Sequence, residues 1–183
     1  MPNRRGLVSL IDMDRICAIV LVLLFCFVLL FRKRRRSRQK RNIRTAERIL
    51  DKLKCFSGSN RRSCVLSYLR KIDPFVFEEL LLNAFRNKGY EIKRNERYTH
   101  DGGIDGRISL NGSLFLIQAK RYRSYVNPRH IRDFYFLIQR TEGVDKGFFI
   151  HTGRTGRDTF RQYKDTCIEI ISGDKLIDLI LKK

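Results

Sequence analysis

"GGIDGRISLNGSLFLIQAKR", residues 102–121, sets an aspartate after paired glycines, an Asn-Gly pair between apolar runs, and a Gln and a Lys two positions apart. Asn111-Gly112 is the pair favoured in a two-residue type I′ turn, because both central residues of that turn need positive φ. Such a turn sets the register of a hairpin: Leu110 opposes Ser113, Ile108 opposes Phe115, and Gly106 opposes Ile117. One step further Asp105 comes opposite Gln118, with Lys120 next along the same face. Ile104, Ile108, Leu110, Phe115, Ile117 and Ala119 are read onto the other face, where they can seat on a core. Leu114 and Leu116 make the second strand apolar on both faces until Gln118 and Lys120, the pattern of a central strand.

A carboxylate and an amide carbonyl are hard oxygen donors suited to Mg²⁺, which keeps several waters and binds phosphate oxygens beside few protein groups. A lysine alongside can orient or help deprotonate an attacking water, or stabilise charge on a phosphorus centre. An Asp and a Lys at the rim of a hairpin also make an ordinary surface pair of little energetic weight. The residues alone leave both readings open.

Outward from the hairpin, Asp73-Pro74 is an N-cap with Pro at the first helical position, and Phe77, Leu81, Ala84 and Phe85 follow on one helix face up to Gly89. "YEIKRN" (90–95) reads as a strand. Asn127-Pro128 opens a second helix bearing Ile131, Phe134, Tyr135 and Ile138, and "KGFFIHT" (146–152) is a buried strand. A helix near 155–165, a strand "CIEII" and a last helix from Asp174 complete an αβββαβαβα order. That order implies an α/β fold with a mixed sheet flanked by helices.

These segments resemble the catalytic domain of the Mrr-type (type IV) restriction endonucleases, in the PD-(D/E)xK nuclease superfamily, over roughly residues 73–181. The likeness rests on "FEELLLNAFRNKGYEI", "DGGIDGRI", "IQAKRY", "KGFFIHTG" and "ISGDKLIDLI" in that order. It implies a restriction-endonuclease-like fold and Mg²⁺-dependent hydrolysis of foreign or modified DNA. Asp105 then carries the metal-ligating aspartate, and Gln118, a second metal ligand, stands where most relatives have Asp or Glu. Lys120 becomes the catalytic lysine, and Glu78 matches the helix glutamate, expected to point inwards while Glu79 stays solvated. A homodimer is compatible with the likeness. The family often carries an N-terminal winged-helix domain that reads DNA, and the connector of about 36 residues before Asp73 is too short to build one. Two alternatives share the scaffold: a branched-DNA or repair nuclease, and a catalytically silent, membrane-tethered DNA-binding module.

Arg121, Arg123, Arg129, Arg132, Arg154 and Arg157 flank the proposed site on loops and helix starts and are read as DNA-binding, with Tyr122 and Tyr125 interleaved. Scattered basic residues are as often plain solvated surface. His100 and His130 are placed in loops and His151 at the end of a buried strand, all three in structural roles.

The formal charge of +20 points to polyanionic partners, nucleic acid or anionic lipid. Half of that excess lies in residues 1–45, where twelve Lys/Arg face Asp12 and Asp14. Within this segment "ICAIVLVLLFCFVLLF" (16–31) is uncharged without a break and spans about 24 Å as a helix, short of a ~30 Å hydrocarbon core. Arg32 and Lys33 can snorkel to relieve the mismatch. Ile16–Phe31 is therefore expected to be a transmembrane helix, and the basic cluster Arg32–Arg44 a contact for lipid headgroups. Nine basic residues after the span against three before it put the N-terminus outside and the C-terminal domain in the cytoplasm. The five cysteines show no zinc spacing and read as reduced thiols. The expected organisation is a non-cytoplasmic tail (1–15), a span (16–31), a basic helical connector (32–72) broken at "SGSN", and a nuclease domain (73–183).

Overall fold

The computed structural model describes residues 4–94 and 103–182, with side chains from Arg15 onward. The expected ends of the "YEIKRN" strand and of the "DGGIDG" segment, together with His100, lie outside the described residues. Two compact units divide after Arg41. In the first, helix α1 (Arg4–Lys54) carries the apolar stretch with no part of it buried, and it is long and apolar enough to cross a membrane. Leu21 and Leu30 are each 66% exposed.

The second unit begins at Asn42, inside α1. Ala46, Ile49, Leu50 and Leu53 recur at three- and four-residue steps and are buried. They join Val65 and Leu69 of α2 (Arg61–Leu69), a helix not foreseen in the connector, in one core with α3 (Pro74–Asn87) and α6 (Gly173–Leu181). The last turns of α1 are thus part of this unit's packing.

Asp73 caps α3 as its residue type requires, its carboxylate accepting from the N–H groups of Phe75 (2.9 Å) and Val76 (3.3 Å). The sheet runs β1 (Glu91–Lys93), β2 (Gly106–Leu110), β3 (Ser113–Lys120), β4 (Val144–His151) and β5 (Ile168–Ile171), with spatial order equal to chain order. The first three strands are antiparallel, and β3–β4 and β4–β5 are parallel. Helices α4 (Pro128–Arg140) and α5 (Arg157–Tyr163) make the parallel crossovers. The element order is the one expected.

Asn111 (φ 51°) and Gly112 (φ 84°) both take the left-handed conformation that the I′ turn demands. The β2–β3 pairing has the register the turn implies: Leu110 with Ser113, Ile108 with Phe115, Gly106 with Ile117. Ile108, Ile117, Phe148, Ile150 and Ile171 face the core shared by α1, α2, α3 and α6. Leu116, Phe149, Ile168 and Ile170 face a second core with α4 and α5. Ile104, expected with Ile108, belongs to this second core, because the chain before Gly106 is not yet in the strand and its alternation does not apply.

Candidate active site

Lys120 ends β3, His151 ends β4 and Ile171 ends β5, so the three parallel strands deliver their carboxyl ends to one edge, where α/β sheets open a crevice. Because Phe115, Ile117 and Ala119 pack towards the first core, Gln118 and Lys120 lie on the α4–α5 face.

Asp105 sits one residue before β2. Its N–H donates to Ile117 O (2.8 Å), and its carboxylate Oδ2 accepts from Ala119 N–H at 2.6 Å. The side chain thus takes over the acceptor position that another ladder carbonyl would fill, and a charged acceptor makes this bond short. The backbone of β3 thereby holds Asp105 next to Gln118. Gln118 is itself buried, with Nε2 donating to Gly103 O at 2.7 Å. Gly103 has φ 88°, and a Cβ there would lie 2.7 Å from Gln118 Nε2, so only glycine allows this cradle. The amide orientation leaves Gln118 Oε1 buried without a hydrogen-bond partner among the described residues. An orphaned carbonyl oxygen beside a carboxylate is a donor set that a hard divalent cation completes. Among the described residues no group of three or more His, Cys, Asp or Glu gathers.

Lys120 pairs across the ladder with His151, which is wholly buried. Gly153 N–H donates to His151 Nδ1 (3.2 Å), which places the ring proton on Nε2, facing Thr155 Oγ1 at 3.0 Å. Desolvation lowers its pKa to about 4, so the ring is neutral at pH 7. His130 lies in the first turn of α4 rather than in a loop, and its Nδ1 is hydrogen-bonded to Tyr122 Oη. Burial raises the Tyr122 pKa above its ordinary value.

The helix glutamates depart from expectation. Glu79 is the buried one, its side chain 2% exposed and ion-paired to Arg94 Nε at 2.8 Å, whereas Glu78 is half-buried. The reason is that α3 is packed nearly all round, from Val76 to Phe85, so a one-sided helical stripe does not describe it. Glu78 lies one turn from Leu82, which abuts Gly106 next to Asp105.

The arginines divide as well. Arg121 donates to the carbonyls of Ile72 and Arg70, and so braces the turn before α3. Arg70, missed from sequence, donates twice to Thr152 O (3.1 and 2.8 Å) beyond β4. Arg129 is exposed and loosely paired with Asp133 at 3.8 Å, and Arg123, Arg132, Arg154 and Arg157 are exposed. Exposed Tyr125 bridges to Arg154 in parallel, with Val126 N–H donating to Arg154 O (2.9 Å) and Arg154 N–H to Ser124 O (3.0 Å). Gly153 packs so tightly here that a Cβ would collide with Ser124 O and with Tyr122 Cβ at 2.6 Å. The loops after β3 and β4 are therefore tied into one rim beside Lys120.

The mixed five-stranded sheet with flanking helices is a restriction-endonuclease-like fold. The family model Mrr_cat, described as restriction endonuclease, matches residues 69–180, and the chain belongs to that family. Among solved structures, one described as "MspJI Restriction Endonuclease in Complex with 27-mer Oligonucleotide" is similar at a TM-score of 0.50 and 25% identity. The match covers 67% of this chain and 32% of that one, so the chain spans about a third of that protein's length. No curated protein matches the sequence.

Proposed function

We propose that the chain is a membrane-anchored, Mg²⁺-dependent endonuclease of the Mrr restriction type that hydrolyses phosphodiester bonds of foreign or modified DNA. The observation that carries this reading is the orphaned Gln118 Oε1 beside Asp105, two residues from Lys120 on one sheet face. Asp105 and Gln118 would hold the cation, which when bound supplies Lewis acidity to the scissile phosphate. Lys120 orients the attacking water and offsets charge on the phosphate oxygens. Glu78, a turn from the Leu82–Gly106 contact, supports the metal side of the site.

DNA as substrate is favoured by the net charge of +20 and by the exposed Arg123, Arg129, Arg132, Arg154 and Arg157 around the rim. The oligonucleotide named with the similar structure agrees with it. Arg121 contributes through the loop it braces. Anchoring is supported by the wholly exposed apolar stretch of α1, and the basic excess after Phe31 favours a cytoplasmic side for the nuclease and contact with anionic lipid.

The test is cutting of supercoiled and methylated plasmid by the full chain in detergent, with and without Mg²⁺, beside Asp105→Asn and Lys120→Ala. Metal-dependent nicking that both variants lose by about a hundredfold or more is expected, on the scale of removing a preorganised charge-stabilising group. DNA binding without cutting in every condition would leave a tethered binding module instead.

A further inference from the structure

Two strands across from Lys120, on the same α4–α5 face, lies a cleft of about 410 Å³ that the hydrolytic site does not use. Arg157, Arg161 and Lys175 supply three cations around it, Thr155 and Ser172 supply hydroxyls, and Phe160 supplies a ring that is 46% exposed. Ile170 forms part of its lining. The volume lies in the range that holds small organic ligands.

The cations are free to serve a ligand. Arg161 and Lys175 make only exposed pairs, with Asp158 at 3.8 Å and Glu169 at 3.5 Å, and Arg157 makes no ion pair among the described residues. Ser172 is the N-cap of α6, yet its side chain makes no capping bond. Thr155 is the residue that faces His151 Nε2, so the cleft is joined through one side chain to the strand beside Lys120.

We infer that this cleft receives one unpaired nucleotide of the DNA substrate, with its phosphate on Arg157, Arg161 and Lys175 and its base against Phe160. The inference deepens the nuclease reading and rests on it for the identity of the polymer. Two strand spacings put the cleft about 10 Å from the Lys120 strand, which corresponds to roughly three base steps at 3.4 Å each. In a duplex the faces of the bases are covered by their neighbours. Only an unpaired or extruded base offers its face to a side chain, and an aromatic ring among cations is the combination that recognises one.

The experiment uses the full chain in detergent, in the Asp105→Asn form so that DNA is bound and not cut, with labelled duplexes that are identical except for one unpaired nucleotide. The ratio of the two affinities is read, because the basic residues after Phe31 affect both duplexes alike. Preference for the unpaired nucleotide is expected, lowered about tenfold by Phe160→Ala, restored by Phe160→Tyr, and unchanged by Phe136→Ala, an exposed ring on α4 outside the cleft. Equal affinity for both duplexes, or a preference that survives Phe160→Ala, overturns the inference. Plasmid cutting by the unsubstituted chain without such a preference overturns the cleft alone. A preference that follows Phe160 in a chain that never cuts overturns the nuclease and upholds the cleft, and binding to neither duplex overturns both.

Discussion

On the proposed reading the Asp105 carboxylate both accepts from Ala119 N–H and holds the cation, and substitutions separate the two roles. Asn at this position still offers an oxygen to Ala119 N–H, so Asp105→Asn is expected to keep the wild-type melting temperature while cutting stops. Asp105→Ala strands that N–H and is expected to cost a further 1–2 kcal/mol or so of stability, read by denaturant unfolding of the full chain. His151 gives a pH dependence with a defined sign. Its folded pKa of about 4 lies below the ordinary value of 6.5, so between these values the unfolded chain binds the extra proton. Stability from this residue is complete above pH 6.5 and is lost as pH falls towards 4, by about 3 kcal/mol in all. His151→Asn, which can still accept from Gly153, should flatten that slope in urea titrations at pH 4.5 and 7. Glu78 and Glu79 part in the same manner. Glu79→Ala leaves Arg94 half-buried without its partner and is expected to lower stability by about 3 kcal/mol, whereas Glu78→Gln is expected to reduce cutting at an unchanged melting temperature.

At the scale of elements, the hairpin was legible because its turn admits a single register: Asn111-Gly112 specified the pairing that brought Asp105 to Gln118. The order of strands and helices followed from caps and apolar periods at Asp73-Pro74 and Asn127-Pro128. Other features depended on partners distant in the chain. Nothing local distinguishes Glu79 from Glu78 before Arg94, fifteen residues on, is known to turn back onto α3. Arg121 looks like any surface cation until the carbonyls of Arg70 and Ile72 are seen to receive it. The three- and four-residue steps of Ala46, Leu50 and Leu53 show an apolar face, and the apolar sides of α3 and α6 are its complement. Leu53 is fully buried there, and Leu53→Ala is expected to cost about 2–5 kcal/mol, measured by thermal unfolding. By the same packing, a fragment beginning at Asn42 should unfold cooperatively. One beginning at Asp73 should aggregate, because it uncovers the apolar surface that Leu50, Leu53, Val65 and Leu69 now occupy.

On the scale of the whole molecule, charge is the property most easily tested. Half of the +20 belongs to residues 46–183, so DNA affinity of the Asn42 fragment should fall steeply and log-linearly with salt, by about 0.9 in slope per phosphate contacted. Each exposed rim arginine, Arg123, Arg129, Arg132, Arg154 or Arg157, should reduce that slope by about one when replaced by alanine. Arg121→Ala should instead lower the melting temperature. The rim itself has a mechanical meaning. The paired backbones at Tyr125 and Arg154, with Gly153 wedged against Ser124 O, leave the loops above Lys120 little room to adapt. A rigid die shapes the softer material pressed against it. The accommodation at this edge then falls on the double helix, and steps that bend and unstack cheaply, such as TA and CA/TG, should be cut ahead of stiff A-tracts even where no side chain reads a base.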